Sequence, residues 1–80
     1  MECDLHGMEL DEAIIEILHC LKECKVNGDS TIEIIHGYQH GQVLKNYFRS
    51  EKFIAQMKKE GFQLQVTNRK NPGSTTIQSK

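Results

Sequence analysis

Two histidines stand in the same local setting in this chain. Leu5-His6-Gly7 and Ile35-His36-Gly37 each close a short run with strand character, and a helical pattern follows each within a few residues. An imidazole accepts or donates a proton near neutral pH, so a repeated His-Gly unit is a candidate for general acid or base work. Asp4 precedes His6 by two positions, which puts both side chains on one face of a strand and the carboxylate within reach of the ring. A carboxylate in that position fixes the tautomer of the imidazole and raises its basicity. For an isolated D-x-H the plainer alternative is a salt bridge or cap at a strand end.

The second copy continues as His36-Gly37-Tyr38-Gln39-His40-Gly41, with two glycines four apart between a strand and a helix. Such a turn lets the backbone approach a phosphate and present its amides. No Gly-Lys-Ser/Thr follows, which argues against nucleoside triphosphate hydrolysis. Lys45 and Arg49 lie four apart on the next helix and extend a phosphate track, and Tyr38 is placed to stack on a base. Gly7, Gly37, Tyr38, Gly41, Lys45 and Arg49 are therefore the candidate phosphate and nucleic-acid contacts. The plainer reading of the two bases is a solvated helix face. A zinc site from Cys3, His6, Cys20 and Cys24 has workable spacing, but Cys20 and Cys24 at i and i+4 on a helix read more naturally as small core or boundary residues.

The elements that position these residues follow from periodicity. After a short start at Cys3 to His6, Leu10, Ile14, Ile17, Leu18 and Leu21 recur at helical spacing, and the helix stops near Asn27-Gly28. Thr31 to His36 is rich in β-branched residues and reads as a buried strand. A second helix begins near Gly41 or Gln42 with Val43, Leu44, Tyr47 and Phe48 inward and ends around Ser50. Glu51 to Glu60 makes another, with Phe53, Ile54 and Met57 inward. Phe62, Leu64 and Val66 alternate with polar residues, Asn71 to Ser74 is a turn, and Thr75 to Gln78 is a last short strand. The order is β-α-β-α-(α)-β-β. A strand, a crossover helix and a parallel strand form a right-handed unit, so both His-Gly turns lie on one sheet edge, where two imidazoles are expected to face one pocket.

At 80 residues, 38% apolar and 26% charged, the chain is a single domain spanning 1–80, and a domain of this size buries about 60% of its unfolded surface. It has no apolar stretch suited to a membrane span and no basic, apolar leader, and three cysteines cannot all pair, which together suggest a reduced, cytoplasmic protein. The net charge of −1 hides a split: residues 1–40 hold two bases against nine acids, and residues 41–80 hold eight bases against two acids. One basic face suited to an anionic partner such as nucleic acid is the expectation.

Asp4-Leu5-His6-Gly7 with Glu12-Ala13, Ile34-Ile35-His36-Gly37 with Gly41 and Leu44-Lys45, and Gly73-Ser74-Thr75-Thr76-Ile77 occur in the order that resembles the small MutS-related (Smr) domain family. The three blocks span nearly the whole chain. The resemblance implies an α/β two-layer sandwich on a four-stranded mixed sheet, similar to the C-terminal domain of translation initiation factor 3. It also implies nucleic-acid binding, with endonuclease activity in several members on DNA or RNA, including mRNA on stalled or collided ribosomes. The family's D-L-H-G motif falls on Asp4, Leu5, His6 and Gly7, and its H-G-x-G-x-G loop on His36, Gly37 and Gly41. The middle glycine of that loop is Gln39 here, which bears on the approach to phosphate and on cleavage. The family's Thr or Ser at the first helix cap is Glu9, a poorer side-chain cap that still suits the helix dipole.

The expected chemistry is phosphodiester cleavage, of RNA in preference to DNA. Asp4, His6 and His36 form the catalytic set, with His6 as general base or acid, Asp4 orienting it, and His36 supplying the complementary proton or holding the phosphate. With a ribose 2′-OH as nucleophile no metal is required. The version with a divalent cation rests on a single nearby carboxylate, thin coordination for magnesium. The competing reading is a binding module for nucleic acid or the ribosome that carries the fold without the chemistry.

Overall fold

The computed structural model describes residues 1–37 and 42–80. In chain order the elements are β1 (Glu2–Asp4), α1 (Leu10–Asn27), β2 (Thr31–Ile35), α2 (Gln42–Phe48), α3 (Glu51–Lys59), β3 (Leu64–Asn68) and β4 (Ser74–Ser79). The four strands form one mixed sheet in the order β1-β2-β4-β3, with β1 and β2 parallel and the remaining pairs antiparallel. This is the expected element order, with strand and helix ends moved by one or two residues. Among the described residues no helix is long and apolar enough to cross a membrane.

Strand alternation decides which face meets the helices. Cys3, Leu5, Ile32, Ile34, Leu64, Thr75 and Ile77 are buried, whereas Glu2, Asp4, Thr31 and Gln65 are exposed. Helix α1 adds Ala13, Ile17, Cys20, Leu21 and Cys24 to the core. Its buried stripe is therefore rotated from the expected one: the small residues Ala13, Cys20 and Cys24 are in the core, Leu10 and Leu18 pack at its flank, and Ile14 is only half-buried. At the start of α1, Glu12 Oε1 accepts from the Glu9 amide at 3.1 Å, which satisfies a backbone donor that Glu9 in the cap position leaves open. Gly28, at φ 79°, closes the helix.

Helices α2 and α3 pack through Tyr47, Phe48 and Phe53, whose ring centroids lie 4.9–5.6 Å apart in edge and tilted arrangements. Ser50 caps α3 by accepting from the Phe53 amide at 3.3 Å, so the chain breaks cleanly between the two helices. Val43, expected inward, is 63% exposed, whereas Leu44 and Phe48 take the buried positions.

Candidate active site

The C-terminal ends of β1 and β2 meet, as the parallel crossover requires. Asp4 lies opposite Ile35, and the Leu5 amide donates to the Ile35 carbonyl at 2.8 Å, which sets the two His-Gly turns side by side. A Cβ placed on Gly37 would lie 3.3 Å from His6 Cβ, and Gly37 holds φ +89°. The second turn thus needs glycine for its backbone conformation and for the room it leaves His6.

His6 and Asp4 form the exposed half of the site. Asp4 Oδ1 sits 2.5 Å from His6 Nδ1 and also accepts from the His6 amide at 3.2 Å. The ring contact, and then the amide, hold the Asp4 carboxyl below its ordinary range. An ionised carboxylate only accepts, so Nδ1 carries the proton of the neutral ring and Nε2 is the nitrogen that Asp4 leaves unengaged. The side chains are 70% and 55% exposed, so this pair stands at the surface.

His36 is placed quite differently. It is 1% exposed, its Nε2 lies 3.0 Å from Thr75 Oγ1, and its Nδ1 lies 3.2 Å from the Gly37 carbonyl. Burial pushes its pKa below the ordinary value near 6.5, and the charges of Arg49 and Lys45 push it further the same way, against the raising effect of the Gly37 carbonyl. The two His-Gly segments meet, but the two imidazoles do not share a pocket. His36 continues the inward positions of Ile32 and Ile34, whereas His6 follows the inward Leu5 and so leaves the core.

The backbone of the second turn is also engaged. The His36 and Gly37 amides both donate to the Gly73 carbonyl, at 3.1 and 3.0 Å. The expected presentation of the Gly37 amide to phosphate is therefore taken up by a contact that ties the turn to β4. Arg49 is drawn into the same region: Nε donates to Thr75 Oγ1 at 2.7 Å, and Nη2 donates to the Asn71 carbonyl at 2.7 Å and the Ser74 carbonyl at 3.0 Å. Lys45 is half-buried one turn earlier and close enough to act on His36 through its charge. Gly7 takes φ +80° in the first turn. Beside it Met8, Glu9, Leu10, Val43 and Leu44 line a depression of about 240 Å³. Tyr38 and Gly41, expected at the phosphate, and Gln39 lie outside the described residues.

Gly73 and Thr75 were absent from the candidate set, although a Thr in an inward strand position is the kind of buried polar group that must find partners. Among the described residues no group of three His, Cys, Asp or Glu side chains converges on a metal-sized site. Cys3 and Cys20 touch, with Sγ atoms 2.6 Å apart in the core, and burial raises both thiols above their ordinary range. His6 points away from them at the surface.

The Smr domain family model matches residues 3–80. Over 64 residues the chain is 31% identical to the endonuclease MutS2 of Finegoldia magna, an alignment that covers 76% of this chain and 8% of that protein. The chain thus corresponds to a small fraction of that relative's length. The fold is similar to the crystal structure of the Smr domain of Thermus thermophilus MutS2, with a TM-score of 0.67 at 23% identity, covering 99% of this chain and 96% of that one.

Proposed function

The chain belongs to the Smr domain family, and from that premise we propose that it binds nucleic acid and cleaves phosphodiester bonds, with RNA preferred over DNA. The observation that carries this reading is the surface pair in which Asp4 Oδ1 holds His6 Nδ1 at 2.5 Å. In the proposed reaction His6 Nε2 removes the proton of a ribose 2′-OH. The freed oxygen attacks the adjacent phosphorus, and the bond to the 5′ oxygen breaks as that oxygen takes a proton from solvent water. Asp4 keeps the ring in the productive tautomer and offsets the positive charge it gains. Lys45, whose charge reaches His36, is a base able to meet the phosphate, and the depression lined by Gly7, Met8, Glu9, Leu10, Val43 and Leu44 lies beside the first His-Gly turn, where a base could rest. The relationship to a protein named as an endonuclease supports the reaction class.

A second reading, a nucleic-acid or ribosome-binding module without chemistry, draws on the Gly37 amide, which donates to Gly73 and so gives no cradle to phosphate. Fluorescently labelled RNA and DNA hairpins, incubated with wild type and His6→Ala in the presence and absence of chelator, separate the two. Cleavage by wild type that is lost in His6→Ala supports the nuclease. Binding without turnover, unchanged by the substitution, selects the module.

A further inference from the structure

We propose that Thr75 is a positioning residue of the site: its hydroxyl accepts from Arg49, donates to His36, and so locks that imidazole as the neutral Nδ1–H tautomer that latches the second His-Gly turn. The assignment follows from what each group is able to do. A guanidinium only donates, so the 2.7 Å contact from Arg49 Nε makes Thr75 Oγ1 an acceptor there. A carbonyl only accepts, so the 3.2 Å contact between His36 Nδ1 and the Gly37 oxygen requires the ring proton on Nδ1. A neutral ring then has a bare Nε2, and the contact at 3.0 Å is completed by the Thr75 hydroxyl proton. With the proton on Nε2 instead, Nδ1 would face a carbonyl with two lone pairs opposed, and Thr75, which is fully buried, would lose the acceptor for its own proton.

The latch reaches the site through the turn it holds. Arg49 also binds the Asn71 and Ser74 carbonyls, and Gly73 between them accepts from both amides of the His36-Gly37 pair. Gly37 in turn packs against His6 Cβ. A displaced hydroxyl at position 75 therefore shifts the surface on which His6 rests. His36 itself is sealed from substrate, which leaves His6 as the imidazole of this pair that exchanges a proton with it. This last step rests on the cleavage reading; the tautomer does not.

Long-range proton–nitrogen correlation spectra of uniformly ¹⁵N-labelled protein test the assignment without any activity. For His36 the wild type is expected to show a protonated Nδ1, an unprotonated Nε2, and a slowly exchanging Thr75 hydroxyl proton with a cross-relaxation peak to the ring. Thr75→Ser retains this pattern, and Thr75→Val shifts the ring to the Nε2–H form or to a mixture. A wild-type ring that is Nε2–H or mixed, or a folded Thr75→Val protein with the wild-type pattern, overturns the proposal. Should Thr75→Val not fold, the hydroxyl peak in wild type and Thr75→Ser decides alone: its presence supports the latch, and its absence from both refutes it. In cleavage assays Thr75→Val is expected to lower turnover about tenfold with hairpin affinity kept, and Thr75→Ser to restore it. A wild type that does not cleave at all contradicts the proposed function and leaves the tautomer result standing.

Discussion

His6 and His36 share a sequence setting and differ in every physical respect that bears on reactivity. The exposed ring is oriented by Asp4, and the buried ring has both nitrogens occupied. Substituting His6 by Ala is therefore expected to reduce cleavage by about 10²–10⁴-fold, the usual worth of a general acid or base, with little change in melting temperature. Asp4→Asn keeps the shape and removes the charge, so turnover falls while hairpin affinity holds, a split that steady-state kinetics resolves. His36 contributes instead to the pH dependence of stability. Its folded pKa lies below its unfolded value near 6.5, so the unfolded chain binds the extra proton first. The stability it confers is complete above that value and declines as the pH falls below it. Thermal melts at pH 7.5 and 5.5 are expected to show a larger drop for wild type than for His36→Asn. Equal drops would mean that the buried ring does not take part.

The elements explain both what was legible in the sequence and what was not. The period of two that joins Asp4 to His6 is local and correctly gives their contact. The same period, applied from Ile32 through Ile34, also places His36 in the core; treating the two His-Gly copies as equivalent hid that difference in parity. Arg49 is a different matter. Read from its spacing to Lys45 it is a phosphate contact or a solvated base, yet it binds Asn71, Ser74 and Thr75 at the β3–β4 connection and the start of β4, a pairing that no local pattern encodes. Helix existence and order were readable from apolar spacing, whereas the buried stripe of α1 takes in the small residues Ala13, Cys20 and Cys24, which the spacing of the larger apolar residues passes over. At this scale Gly37→Ala is expected to cost about 1–2 kcal/mol for its left-handed backbone, and also to displace His6, since the added methyl lies 3.3 Å from its Cβ. Gly28→Ala at the end of α1 has the same backbone penalty and open space around it, so it lowers stability and spares turnover. Equal turnover in the two variants would contradict the packing of the second turn on His6.

Across the whole molecule the split in charge follows the order of the elements. The acids concentrate on β1 and α1, while α2, the junction that joins it to α3, α3 itself and the β3–β4 connection carry Lys45, Arg49, Lys52, Lys58, Lys59, Arg69 and Lys70. A single-stranded partner that neutralises about three phosphates on the basic side should bind roughly twentyfold more weakly at 200 mM than at 50 mM salt. An affinity indifferent to salt would contradict the basic face. A second concavity, of about 440 Å³, lies at the far end of the sheet among Leu21, Phe62, Leu64 and Ile77. Cleavage is most directly tested by single-turnover reactions on an RNA hairpin and on its twin with one 2′-deoxy substitution at the cleaved position, each with wild type and Asp4→Asn. Wild type is expected to cut the RNA, to spare the deoxy position while binding it equally well, and to be slowed by the loss of the Asp4 charge. Cutting of both hairpins at the same rate, or a rate unaffected by Asp4→Asn, would contradict the proposed reaction.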